Sequence, residues 1–336
     1  MIRIGIVGIT GYGGRELLRL LAAHPEAEVT RATSTTQAGK PVGEILPAFA
    51  ETNEIILEAF DAKSLADTCD LVFLAAPGTE SMVPGAALRA EGARVIDIGP
   101  DFRLNAPGVF HQFYGTAHTA PELLDEAVYG LVPHNRESLA DAQLVAVPGC
   151  YPIGALLPLK PILAHTKPSV PPVIDSISGT SGAGRSLNEA FHFSEMSENV
   201  VAYKLGTHQH IPEIEQELDG VTVQFSPHVG PYTRGILSTI TVRPENDLDV
   251  AACFEPYAAE PFVRVLEEGA LPQLKHVRGS NFCDIGWVSD SRTGNLILVS
   301  AIDNLVGGTA GMAIQCMNLM FGLDETVGLG MGGMSI

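Results

Sequence analysis

The sequence predicts an α/β protein with a doubly wound N-terminal domain followed by an α+β domain. Three observations carry this. Strand-like and helix-like segments alternate through the first third of the chain. Near residue 150 the texture changes to strands separated by long loops. And 336 residues are more than a single core usually holds, so two domains are expected.

The first element is Ile2–Val7, a β-branched apolar run bounded by glycine, as in a strand buried on both faces. A glycine turn follows, and Arg15–Ala23 then places Leu17, Leu18 and Leu21 on one helical face until Pro25 ends the helix. Further strands are expected at Glu28–Ala32, Leu71–Ala75 and Arg94–Ile98, with helical stretches around Ser64–Thr68 and Val83–Ala90. Beyond the stiff Lys167–Pro172 connection, strands are expected at Val173–Ile177, Val221–Phe225, Ile236–Val242 and Leu296–Ala301. The Ala-, Gly- and Met-rich stretch Gly308–Leu323 reads as a buried helix returning to the first domain.

With 46% hydrophobic and 18% charged residues, the chain is neither disordered nor a charged coiled coil. Its net charge of -19 argues against bulk binding to nucleic acid or anionic membranes, while leaving room for a local anion site. No window reaches the length of a membrane span, and the N-terminus reads as a strand rather than a signal peptide, so a cytoplasmic location is expected. Five widely spaced cysteines without a CxxC suggest neither a disulfide framework nor a zinc ribbon.

Four motifs could carry chemistry. Gly8-Ile-Thr10-Gly11-Tyr12-Gly13-Gly14 joins the first strand to the first helix, where glycines admit a pyrophosphate to the helix N-terminus. Its GxxGxxG spacing departs from the usual dinucleotide fingerprint. No carboxylate follows the second strand, where Ser34, Thr35 and Lys40 would tolerate a 2′-phosphate, so NADP is favoured over NAD. Cys150, after Pro148-Gly149 and ahead of the apolar stretch Gly154–Ile162, sits where a helix N-terminus favours a thiolate nucleophile. In Gly206-Thr-His208-Gln-His210, acid/base or substrate contact is favoured over zinc because no third and fourth ligand is in view, so no metal is expected. Finally, the Ser178–Arg185 loop, with Gly182 and Arg185, has the composition of a phosphate- or ring-binding turn.

These segments resemble the N-acetyl-γ-glutamyl-phosphate reductases of the aspartate-semialdehyde dehydrogenase superfamily. The likeness runs collinearly through GITGYGG at 8–14, VIDIGPDFRL at 95–104, VPGCYP at 147–152, SGTSGAGR at 178–185, GTHQH at 206–210 and DNLVGGTAG at 303–311. It implies a Rossmann domain, residues 1–149 and 304–336, completed by the C-terminal helix, and a catalytic and dimerisation domain at 150–303. It also implies NADP(H), a homodimer or homotetramer, and reductive dephosphorylation of a small acyl phosphate in arginine biosynthesis. By the resemblance, Cys150 is the nucleophile, His208 the favoured acid/base residue and His210 a substrate or orienting contact. Arg103, Arg185 and Arg234 would hold substrate anions. Gly8, Thr10, Gly11, Tyr12, Gly13, Ser34, Gly182 and Asn304 would contact the cofactor. Thr35, Ile153, Gly307 and the Ala76-Pro77-Gly78 turn depart from the usual family pattern. They leave open a homologous reductase for N-acyl-aminoadipyl phosphate; a catalytically inactive cofactor-binding regulator is disfavoured by the retained Cys150, His208 and Arg234.

Overall fold

The computed structural model describes residues 1–50 and 55–334. The chain divides into two units, Met1–Pro148 with Thr309–Gly330, and Gly149–Gly308 with the tail from Met331.

The first unit begins with β1 (Ile2–Val7), whose Ile4 and Ile6 are fully buried. The turn that follows feeds α1 (Tyr12–Leu21), which starts three residues before the expected Arg15 because Gly11 is its extended N-cap. Along the chain come β2 (Ala27–Thr33), the single turn α2 (Val42–Ile45), α3 (Ala62–Thr68), β3 (Leu71–Leu74) and α4 (Met82–Ala90). They are followed by β4 (Val95–Asp97), α5 (Pro107–Tyr114), β5 (Val128–Tyr129), α6 (Val132–Ala140) and β6 (Leu144–Ala146). The strands form one parallel sheet in the order β2-β1-β3-β4-β6-β5. Every residue of β3 is buried, as expected for a strand covered by helices on both faces. The order reverses at β1, which places the crevice of such a sheet at the turn after it.

The second unit opens with α7 (Cys150–Leu163), nearly all of it buried. Pro158 and Pro161 interrupt its ladder, since neither can donate to the carbonyl four residues earlier. Side chains make up the loss. Ser300 Oγ donates to the Gly154 carbonyl at 2.5 Å, and Tyr257 Oη donates to the Leu157 carbonyl at 2.9 Å.

The remaining elements are β7 (Val173–Ser178), the short α8 (Phe193–Met196), β8 (Val201–Ala202), α9 (His210–Glu217), β9 (Gln224–Val229) and β10 (Ile236–Val242). Then come α10 (Val250–Cys253), β11 (Val263–Val265), α11 (Leu274–Val277), β12 (Cys283–Asp290) and β13 (Asn295–Ile302). They build a mixed sheet in the order β11-β12-β13-β10-β7-β9-β8. The strand expected at Val221–Phe225 begins later, at Gln224, because the turn after α9 engages the N–H groups ahead of it: Val221 N–H donates to the Leu218 carbonyl at 3.1 Å and Val223 N–H to Glu215 Oε1 at 3.0 Å.

The chain then re-enters the first unit through a π-type turn at Val306–Ala310 and α12 (Gly311–Met320), which packs on α6 and α1. The two units divide at 308/309, five residues after the boundary expected at 303/304, and the tail from Met331 groups with the second unit. The Asp303 carboxylate accepts from Gly279, and the Asn304 amide accepts from Gly235 and donates to Ser181, all second-unit residues.

Candidate active site

Cys150 is the first residue of α7 and is half-buried. No side chain caps that helix end, and fourteen residues of aligned peptide dipoles direct their positive end at the cysteine, an environment that favours an anion. The flanking Gly149 is clamped on two sides. Its N–H donates to Glu213 Oε1 at 2.7 Å, and a Cβ placed on it would lie 2.5 Å from His210 Nε2, so the imidazole rests directly on the Gly149 backbone. Gly308 closes a third side, since a Cβ there would approach Cys150 Cβ to 2.9 Å.

The two histidines of the motif have different surroundings. His208 is buried, and its Nδ1 accepts the His210 N–H at 3.1 Å. Its ring proton therefore sits on Nε2, which donates to Tyr203 Oη at 3.4 Å. Tyr203 donates on to Tyr151 Oη at 3.2 Å, and Tyr151 to the His228 carbonyl at 3.0 Å. Tyr151, Tyr203 and Phe225 meet the His208 ring edge to face. Burial, with a smaller push from Lys204, brings the His208 pKa down to about 3, so this imidazole stays neutral. Burial likewise raises Tyr203 to about 12, which keeps its phenol proton in the chain. His210 heads α9 and is partly exposed. His208 has both ring nitrogens committed, whereas the His210 ring rests against the backbone of Gly149, the residue before Cys150.

A second group surrounds Asp303, which is fully buried. Its Oδ2 accepts the Gly279 N–H at 2.7 Å and lies 3.4 Å from Arg234 Nη1. Its carbonyl accepts the Gly308 N–H at 2.8 Å, linking Arg234 through Asp303 to the glycine that backs Cys150. Asn304 joins two loops, accepting the Gly235 N–H and donating to Ser181 Oγ, one residue before Gly182. Arg185 lies on an exposed stretch. Gly307 has a structural reason to be glycine, as a Cβ there would meet the Asn281 carbonyl oxygen at 3.1 Å.

The remaining expected residues lie in the first unit. Gly8 is left-handed at φ +86°, and a Cβ on it would strike the Ala75 carbonyl oxygen at 2.6 Å. Thr10, Gly11, Tyr12 and Gly13 carry the turn into the uncapped, acid-free first turn of α1. Backbone held open at a positive helix end fits a pyrophosphate. Ser34 is buried at the end of β2, and its N–H donates to the Glu58 carbonyl. The Glu58 carboxylate forms an ion pair with Arg31. Arg103 donates from Nε to the Val147 carbonyl at 2.7 Å and from Nη2 to the Ile98 carbonyl at 3.0 Å.

Sequence reasoning missed Glu213, Tyr151, Tyr203 and Asp303. Only Glu213 had a local signal, its place three residues after His210 on the same helical face. Among the described residues no group of His, Cys, Asp or Glu could hold a metal ion, and no helix is long and apolar enough to cross a membrane.

The family described as "Semialdehyde dehydrogenase, NAD binding domain" matches residues 3–142, and "Semialdehyde dehydrogenase, dimerisation domain" matches residues 150–304. An N-acetyl-gamma-glutamyl-phosphate reductase of Desulforudis audaxviator is 46% identical over 98% of both chains. One of Symbiobacterium thermophilum is 47% identical over 98% of this chain and 97% of its own. Among solved structures, aspartate semialdehyde dehydrogenase II from Vibrio cholerae superposes with a TM-score of 0.73 at 16% identity, covering 96% of this chain and 98% of that one. The Candida albicans enzyme with NADP gives 0.72 at 18% identity, over 96% and 98% of the two chains. These two likenesses establish the fold, and the sequence relatives the narrower kinship: this chain belongs to the N-acetyl-γ-glutamyl-phosphate reductase family.

Proposed function

We propose that the chain converts N-acetyl-γ-glutamyl phosphate to N-acetylglutamate semialdehyde in the cytoplasm, as part of arginine biosynthesis. The observation that carries this is Cys150 at the head of α7 with the His210 imidazole seated on Gly149 beside it. Its sulfur would attack the acyl carbon, forming a carbon–sulfur bond as phosphate leaves with the electrons of the carbon–oxygen bond. NADPH, when bound, supplies the hydride that the thioester carbon accepts. His210 takes the thiol proton before attack and handles the proton at the substrate oxygen as aldehyde is released. Glu213 holds the Gly149 N–H and with it the start of α7. His208, neutral and tied through Tyr203 and Tyr151, orients the turn that presents His210.

Arg234, kept in place by Asp303, would bind a substrate carboxylate or phosphate as a forked donor, with Arg185 and Arg103 as further cations. Gly8 to Gly13 would receive the pyrophosphate, and Ser34 would face the 2′-phosphate side of NADP. Gly182 and Asn304 would lie toward the nicotinamide. The semialdehyde dehydrogenase dimerisation domain spans 150–304 and supports an oligomer, here proposed as a homodimer or homotetramer.

The test follows NADP reduction with N-acetylglutamate semialdehyde and phosphate. Wild type should turn over and Cys150→Ser should not. Equal rates for the two proteins, or a preference for NAD, would overturn the nucleophile or the cofactor assignment respectively.

A further inference from the structure

Residues Met331–Met334 group with the second unit and form neither helix nor strand, yet they have a defined seat on the loop after α11. The Met334 N–H donates to the Arg278 carbonyl at 2.7 Å. A Cβ on Gly333 would lie 2.9 Å from that same carbonyl oxygen, so the Gly333 backbone rests against it. The Met334 side chain lies on Gly279, where a Cβ would meet Met334 Cγ at 2.5 Å and Sδ at 2.9 Å. Gly279 is left-handed at φ +77°, a conformation that glycine takes without steric cost. Met334 is 54% exposed, so its seat on this glycine is not a matter of filling the core.

The other side of Gly279 faces Asp303. Its N–H donates to Asp303 Oδ2 at 2.7 Å, and the same oxygen lies 3.4 Å from Arg234 Nη1. Asp303 Oδ1 accepts the N–H groups of Leu305 and Val306 at 2.8 and 3.1 Å, so Oδ2 is the oxygen left to Gly279 and Arg234. The backbone beside Arg234 meets the same part of the fold: a Cβ on Gly235 would lie 2.9 Å from Leu274 Cδ2 of α11. Met334, Gly279, Asp303 and Arg234 therefore form one unbroken series of contacts, all within the second unit.

We propose that Met331–Met334 is a strap that holds the Arg278–Ser280 loop against Asp303 and so fixes the guanidinium of Arg234, with Met334 and Gly333 as its positioning residues. The proposal rests on Arg234 as the donor to a carboxylate or phosphate of the substrate. With the strap lifted, the Gly279 N–H leaves Oδ2, the carboxylate loses a charge-assisted hydrogen bond, and Arg234 is no longer held in one orientation. The effect falls on the binding of the substrate anion.

Two measurements on the full-length chain test this. Hydrogen–deuterium exchange followed by mass spectrometry reads the peptide spanning 274–281. Met334→Ala removes the side chain from Gly279, and Gly333→Ala drives the backbone off the Arg278 carbonyl; Gly333 is not left-handed, so alanine there acts through the clash. Both variants should exchange faster than wild type in that peptide, while Met334→Leu, an apolar side chain of similar size, should stay close to wild type. In the NADP-reduction assay both variants should raise KM for N-acetylglutamate semialdehyde or for phosphate by about 2–10-fold, the equivalent of one hydrogen bond. Their kcat and their KM for NADP should be unchanged, and Met334→Leu should again match wild type.

Unaltered exchange would show that the strap holds nothing, and faster exchange with unaltered KM would show that it does not reach Arg234; either result overturns the proposal. Arg234→Ala separates this from the reading beneath it. If Arg234→Ala raises KM and the strap variants do not, the substrate contact stands and the strap falls. If Arg234→Ala leaves both KM values as they were, the substrate contact itself fails and the proposal goes with it.

Discussion

His208 and His210 stand two residues apart and have opposite physical situations. The first is buried among aromatic rings with both nitrogens engaged, and the second lies on the glycine next to the thiol. In the proposed mechanism His210→Asn removes the base, and a general acid/base contribution is typically on the order of 10²–10⁴-fold, so turnover should fall by that order. His208→Asn should cost less turnover and more thermal stability, because the aromatic packing and the Tyr203 contact are what it loses. Steady-state rates and melting curves of the two variants check this ranking. Because His208 is held neutral down to about pH 3, the pH–rate profile between pH 5 and 9 should be unchanged in shape in His208→Asn. At this scale the sequence was partly legible. Cys150 and the histidine pair stood out by residue type and spacing. The difference in their surroundings was not, since it depends on Tyr151, Tyr203 and Phe225, which come from other elements.

The element that matters most is α7, and its two prolines make it depend on the sheet it packs against. Without Ser300 the Gly154 carbonyl would be buried with no donor, and without the Tyr257 hydroxyl the same would befall Leu157. An unsatisfied buried group costs about 1–3 kcal/mol, so Ser300→Ala and Tyr257→Phe should each lower stability by that order in urea denaturation. The two losses should be nearly additive if each hydroxyl serves its own carbonyl. The glycine turn before α1 carries a second prediction. A Cβ at Gly14 would lie 2.7 Å from both the Gly8 carbonyl oxygen and Ile9 Cα, backbone atoms that cannot yield cheaply. Gly14→Ala should therefore weaken NADP affinity in a fluorescence titration and lower the melting temperature. Hydrophobic periodicity made α1, β1, β3 and β10 readable in advance. It missed α6 and β12, and it placed β9 too early because the turn after α9 takes up the N–H groups of Val221 and Val223.

Over the whole molecule, the second unit leaves Leu187 and Phe193 at 104% and 83% relative exposure, with Val200 and Leu205 also exposed on the same stretch of chain. In a segment matching the dimerisation domain, such side chains are candidates for a subunit interface. Leu187→Asp and Phe193→Asp should reduce the molar mass measured by light scattering after size exclusion, and an unchanged mass would place the subunit interface elsewhere.

Asp101, buried in the loop after β4, also gives overall stability a sign, since burial and the charge of Asp97 raise its pKa to about 7. A group whose folded pKa is raised contributes stability that is fully present below its unfolded value and is lost as pH rises through the folded value. Between about pH 4 and 7 the wild-type urea midpoint should therefore fall relative to that of Asp101→Asn, with the difference levelling off above about pH 7.

Residue order by itself determined the α/β class, the buried parallel strands and the glycine turn at the first helix, and it singled out Cys150 as the candidate nucleophile. Each of these is a local property, set by side-chain periodicity or by what a glycine or thiol can do where it stands. Tertiary structure alone decided the different surroundings of His208 and His210, the partners of Glu213 and Asp303, and where the last segments of the chain belong. Those outcomes depend on burial and on hydrogen bonds between residues distant in sequence, such as Gly149 with Glu213 and Arg234 with Asp303. A carboxylate's chemistry is set by the groups enclosed with it, and only the folded chain determines which groups those are.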